Sequence, residues 1–162
     1  MRFMMLVIPK GYETAEPGTM PDPGAVEAMM KYNAELQKAG VLLALDGLHP
    51  PSMGARVSFS GGKPRVMDGP FAEAKEVVGG YWLIDVSSKD EAIEWAKRCP
   101  MSDNELIEVR QVQEFDDFPP DVQAAAGGFQ EMQRQAGSAG EARTKRWRSK
   151  APTAPPAATA TT

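Results

Sequence analysis

The run VGGYWLIDVSSKDEAIEWAKRCPMSDNELIEVRQV, residues 78–112, decides the fold. Val78–Val86 reads as a strand entered through Gly79-Gly80, rich in aromatic and branched residues. Ser88 and Glu91 stand at the spacing of a capping box, which opens a helix. Pro100 ends that helix, since proline removes a backbone donor and clashes with the preceding turn. Glu105–Val112 is the last strand, with Leu106 and Glu108 on one face and Ile107 and Val109 on the other. The order is strand, helix, strand.

The same order stands at the front of the chain. Arg2–Ile8 is a short apolar run closed by Pro9, the pattern of a buried central strand. Lys10–Met20 is a loop with glycine and proline. Asp22 is an N-cap with Pro23 at the first helical position, and the helix runs to Ala39, where Gly40 stops it. Val26, Met29, Met30, Asn33 and Leu36 share one face. Val41–Leu45 is a second strand. Between the halves, Ala55–Phe59 and Pro64–Met67 flank Ser60-Gly61-Gly62-Lys63, a hairpin signal. Together these predict a ferredoxin-like α+β fold, βαββαβ with an inserted β-hairpin. Two helices cover one sheet face. The other face carries apolar residues too and needs a cover, which a second copy with two-fold symmetry supplies. A homodimer is expected.

The 162 residues suggest one domain with a tail, placed at 1–118 and 119–162. Residues 1–121 carry a net charge of −8 and residues 122–162 a net of +4. The tail is Ala/Gly/Pro-rich and basic, with too little aliphatic surface to offset its ordering entropy, so it is expected to be disordered. Its basic cluster from Arg143 to Lys150 either contacts nucleic acid or an acidic partner surface, or is a solvated extension. The net charge of −4 disfavours a nucleic-acid binder. One cysteine, Cys99, excludes an intramolecular disulfide framework and a cysteine-cluster metal site, and one histidine, His49, excludes a three-histidine one. The apolar run Phe3–Ile8 is far short of the roughly 20 residues a membrane span needs, and no secretory signal is visible. A cytoplasmic protein without membrane, metal or cofactor is expected. No phosphate loop, dinucleotide fingerprint or zinc motif is present.

Several residues carry two readings each. Asp68-Gly69-Pro70 is a stiff turn whose aspartate either holds a base at a cleft rim or caps backbone N–H groups. An imidazole is the side chain suited to moving protons, and His49 follows a strand end, so it either moves a proton or is an ordinary loop residue. Glu73, Lys75 and Glu76 either anchor a polar substrate or form a solvated face. Asp46 either orients His49 or belongs to a turn with Gly47. Phe59, Phe71, Tyr81 and Trp82 either line a pocket or fill core and dimer contacts, and alternation sends Tyr81 and Trp82 to opposite faces.

Asp68-Gly69-Pro70-Phe71-Ala72-Glu73-Ala74-Lys75-Glu76, followed by Gly79-Gly80-Tyr81-Trp82-Leu83-Ile84, closely resembles the signature of the YCII-related (DGPF) family. Gly47-Leu48-His49-Pro50-Pro51-Ser52, Glu94-Trp95-Ala96-Lys97-Arg98-Cys99-Pro100 and Ile107-Glu108-Val109-Arg110-Gln111-Val112 resemble it as well. Ala74 stands where the common pattern has threonine. The resemblance covers about residues 1–115 and implies a dimeric α+β barrel with a cleft between sheet and loops. It implies either of two functions. Some broader relatives are small-molecule lyases or dehydrochlorinases with a proposed His–Asp pair. Relatives of the DGPF type are often linked with, or fused to, extracytoplasmic-function sigma factors. Smaller members carry that histidine on the first helix, where this chain has Lys31-Tyr32-Asn33-Ala34. Asp68 matches the signature aspartate, and His49 would act from a different element. On the enzyme reading the reaction is a cofactor-free acid/base step of lyase or isomerase type on an unknown small molecule. His49 and Asp68 would be catalytic, and Asp46, Pro70, Phe71, Glu73, Lys75 and Tyr81 would bind substrate. On the other reading the protein is a regulator acting beside a sigma factor.

Overall fold

Four antiparallel strands form the main sheet: β1 (Arg2–Ile8), β2 (Leu42–Gly47), β5 (Gly80–Asp85) and β6 (Leu106–Gln111), in the order β2-β5-β1-β6. β1 and β2 run parallel with β5 between them, which is the split βαβ of a ferredoxin-like unit. A separate ladder of two strands, β3 (Ala55–Ser60) and β4 (Lys63–Asp68), is the inserted hairpin. The structure, a computed structural model, describes residues 1–71 and 75–137. The chain divides into two compact units, Met1–Val112 and Gln113–Thr162.

Helix α1 (Pro23–Lys38) begins where Asp22 accepts a hydrogen bond from the Ala25 N–H at 3.1 Å, and it ends before Gly40 at φ 74°. Helix α2 (Lys89–Lys97) starts at Ser88, whose hydroxyl accepts from the Glu91 N–H at 3.2 Å. The expected capping box closes differently at its other half. The Glu91 carboxylate accepts from the backbone N–H and hydroxyl of Ser87, at 2.8 and 2.5 Å, not from Ser88. These bonds hold the Glu91 carboxyl below its ordinary range.

The core lies between the helices and one sheet face. Phe3 faces Ile84 and Met5 faces Trp82 across β1 and β5, and all four are buried. Tyr32 and Leu36 of α1 and Ala92 and Trp95 of α2 close over them. Tyr32 meets Trp82 edge-on, ring centroids 5.5 Å apart, and donates its hydroxyl proton to the Trp95 carbonyl at 2.9 Å. That bond lets a phenol sit fully inside and ties the two helices together. Burial also raises the Tyr32 pKa.

This corrects the expected helix face. Tyr32 and Leu36 are buried and Met29 packs beside them, whereas Met30 is 60% exposed and Val26 is exposed. A second correction concerns Asp46-Gly47. Pairing with Tyr81 and Gly80 keeps both residues in β2, so the strand outruns the turn propensity of the dipeptide. The face that α1 and α2 leave carries Met4, Leu6 and Leu83, the alternates of the buried residues, each half-buried.

The compact first unit ends at Val112, six residues before the boundary read from composition. In the second unit, a short turn at Phe115–Asp117 precedes α3 (Pro120–Ala125), and residues 129–137 are helical. Helix therefore stands at the start of a segment expected to be disordered. Pro120 suits a first helical turn, and alanines supply the helix propensity. The basic cluster from Arg143 to Lys150 lies outside the described residues. Among the described residues no helix is long and apolar enough to cross a membrane.

Leu36 is fully buried, so Leu36→Ala should cost about 2–5 kcal/mol in urea unfolding. Met30→Ala should change stability by no more than about 0.5 kcal/mol. Equal losses would contradict the buried face assigned to α1.

Candidate functional site

The side chains that sequence singled out fall into two groups. The first lies on the sheet face that the helices leave. Tyr81 of β5 donates its hydroxyl proton to Oδ2 of Asp46 on β2, at 2.9 Å, in register across the strands. That bond to a carboxylate, with desolvation and the carboxylate's charge behind it, raises the Tyr81 pKa above the ordinary tyrosine value. The phenol of the pair is therefore held in its neutral form. Oδ1 of Asp46 carries no hydrogen bond within the described residues. Leu6 stands next to Tyr81 on β1, and Glu108 and Arg110 continue the face on β6, their charged groups 3.7 Å apart. Chemically, the arrangement offers a carboxylate oxygen, Oδ1, as acceptor beside a phenol whose proton is engaged on Oδ2.

The second group is the loop cluster after β2. The backbone around His49 is pinned from several sides. The Leu48 carbonyl accepts from the Tyr12 hydroxyl at 2.7 Å, and the Leu48 N–H donates to the Gly79 carbonyl at 2.8 Å. Pro50 is fully buried, and the Ser52 hydroxyl donates to the Ala15 carbonyl at 3.0 Å. His49 itself is exposed. Asp68 ends β4 opposite Ala55 and is also exposed. Gly69 closes the hairpin base, its N–H donating to the Gly54 carbonyl at 2.9 Å. Any Cβ at Gly69 would collide with the Pro51 carbonyl, so only glycine fits this approach. The Gly69-Pro70 peptide bond is cis. Phe71 lies under the Arg56 guanidinium, 4.1 Å from its ring centroid.

The two loops that carry His49 and Asp68 are thus in contact through Pro51 and Gly69. Among the described residues no hydrogen bond or ion pair joins the two side chains. Pro70 and Lys75 are exposed, and Glu73 lies outside the described residues. Sequence reading missed Tyr12, the residue that holds the His49 loop. Its only signal was an aromatic residue inside a polar loop. It also left unresolved that Asp46 partners Tyr81, 35 residues away, rather than His49.

A cavity of about 220 Å³ opens on the opposite, helix-facing side of the sheet, between α1 and the ends of β2 and β5. Val7, Met29, Leu45 and Trp82 wall it with Asn33, and Asp46 and Tyr81 border it at the strand ends. Cys99 is buried away from solvent, and burial pushes its thiol up to about 12, which removes it as a nucleophile. Among the described residues no group of three or more His, Cys, Asp or Glu side chains is placed to hold a metal ion.

A family model, described as YCII-related domain, matches residues 1–116. An uncharacterised protein of Rhizobium meliloti (strain 1021) is 45% identical over 60 residues, covering 37% of this chain and 48% of that protein. The match thus spans about half of that relative's length.

The Asp46–Tyr81 bond has a measurable signature. A raised phenol pKa means that the neutral form is favoured on folding. Its contribution to stability is present below the ordinary tyrosine value of about 10 and fades as pH rises through the raised value. In Asp46→Ala, the Tyr81 titration followed by carbon NMR of labelled tyrosine should move down, while that of Tyr32 stays in place. An unmoved Tyr81 titration would show that the bond does not form in solution.

Proposed function

The chain belongs to the YCII-related (DGPF) domain family, and from that premise we propose that it binds a small molecule and acts on it by acid/base chemistry of lyase or isomerase type. The observation that carries this reading is the Asp46–Tyr81 hydrogen bond, 2.9 Å long, on the sheet face left by the helices. Asp46 accepts a proton from a carbon or hydroxyl group of the substrate. The single hydroxyl proton of Tyr81 rests on Oδ2 of Asp46 and turns to the developing oxyanion as Asp46 takes up the substrate proton on Oδ1. His49 and Asp68, on their touching loops, belong to the rim, with Pro70, Phe71, Glu73 and Lys75 as substrate contacts.

The reading includes a homodimer, in which the second copy covers Met4, Leu6 and Leu83 and turns the open sheet face into a cleft. The hairpin supports an associated state. Every residue of β3 and β4 is exposed, Phe59 to 79%, and Val57 and Val66 are paired on the same apolar side. A lone two-stranded ladder is at best marginally stable in water. The alternative, a regulator beside a sigma factor, would use such surfaces for a different protein.

Two experiments test the reading. Native mass spectrometry of the full chain should give a dimer, and Leu83→Asp should shift it toward monomer. A stable monomer overturns the dimer. Solvent deuterium exchange at the α-carbon of a panel of ketones and 2-oxo acids, followed by proton NMR, should be accelerated by the protein. Asp46→Asn should lower that rate by about 10²–10⁴-fold. Full exchange activity in Asp46→Asn, lost instead in His49→Ala, would move the chemistry to the loop cluster. No exchange with any compound would favour the regulatory alternative.

A further inference from the structure

The cavity under α1 borders Asp46 and Tyr81 at the strand ends, but strand alternation turns those two side chains to the other sheet face. We infer that it binds a small neutral molecule through one hydrogen-bond acceptor, a carbonyl oxygen for choice, and that Asn33 reads that acceptor.

The hydrogen-bond valences lead to this. Trp82 is 4% exposed, and its indole N–H donates to Oδ1 of Asn33 at 2.7 Å. An indole nitrogen can only donate, so this bond sets which end of the Asn33 amide faces Trp82. The carbonyl end is occupied, and the NH₂ end is left with two protons. Its one partner is Sδ of Met30 at 3.9 Å, a weak acceptor on a largely exposed side chain. At least one amide proton therefore has no oxygen partner among the described residues and is left for solvent or a ligand. The side chains at the cavity thus offer a donor and no free acceptor.

Charge is excluded by strand alternation. Leu45 pairs with Trp82, and both point toward α1. Asp46 pairs with Tyr81, and alternation turns their side chains the other way. A charged ligand would give up its hydration against Val7, Met29, Leu45 and Trp82 with no countercharge. A volume of about 220 Å³ lies below the roughly 300–1,000 Å³ of sites for drug-sized ligands, so the occupant is of fragment size. Glycine keeps the sheet wall bare: a Cβ at Gly80 would stand 3.0 Å from the Asp46 carbonyl oxygen.

The test uses the full chain, nitrogen-labelled, and four probes of one shape: acetophenone, ethylbenzene, benzoate and benzylammonium. Acetophenone should shift the Trp82 indole and Asn33 amide signals saturably, and should bind about five- to tenfold more tightly than ethylbenzene. The two ions should bind more weakly than acetophenone. Asn33→Asp keeps an acceptor for the Trp82 N–H, so the fold is retained, but it removes the amide protons. In that variant the preference for acetophenone over ethylbenzene should vanish and benzylammonium should gain. Equal binding of ethylbenzene and acetophenone to the wild type would overturn the role of Asn33. Tighter binding of either ion to the wild type, or no shift at Trp82 with any probe, would overturn the site. None of these results depends on exchange activity at Asp46, so failure here and failure of the proposed function are separable.

Discussion

Met5 stands opposite Trp82 and Phe3 opposite Ile84 where β1 pairs with β5, and that pairing decides which way each functional side chain points. A strand sends successive residues to opposite faces. Once Trp82 is committed to the core, its neighbour Tyr81 must leave it, and Asp46 follows Tyr81 because the two are in register. A slip of one residue would bury the phenol–carboxylate pair and expose the indole. The helices add to this commitment without setting it. Tyr32 closes over Trp82 from α1 and is itself held by a carbonyl of α2, so the aromatic pair locks both helices to the same face.

Local signals in the sequence carried the elements. Asp22-Pro23 and Gly40 bracket α1, Ser88 opens α2, and Pro9 closes β1, each by a mechanism confined to a few neighbours. The two-glycine turn between β3 and β4 is of the same kind, with both glycines at positive φ. What escaped was non-local. Helical spacing places Tyr32 about 40° from the buried Leu36 and Met30 about 120° from it, but a polar hydroxyl hides Tyr32 until its bond to Trp95, 63 residues on, is seen. Asp46-Gly47 has turn chemistry, and the neighbouring strand overrides it.

The candidate site was legible in its residues and not in its grouping. Asp46 and Tyr81 were both named, yet His49 was the partner considered for Asp46. No spacing rule links positions 46 and 81; only the sheet register does. The signature residues from Asp68 to Phe71 were visible as a stiff turn, and the structure gives that stiffness an object. Gly69 lies against the turn that follows His49, so the signature braces a second loop. Asn33 was read as one more member of a helix face. Its distinction comes from Trp82, which occupies the oxygen of its amide and frees the nitrogen.

The hairpin base is clamped where the Gly69 N–H meets the Gly54 carbonyl, Gly69 lies against the Pro51 carbonyl and Arg56 stacks on Phe71. Everything from residue 55 to residue 68 leaves and re-enters the body of the fold through that clamp. Its length is therefore mechanically uncoupled from the sheet, since closing a longer loop at a fixed base adds only a slowly growing entropy. The turn at Gly61-Gly62 is for that reason a natural graft point. A reporter peptide or a longer arm inserted there would ride outside the fold, and the backbone that positions His49 would not register the change.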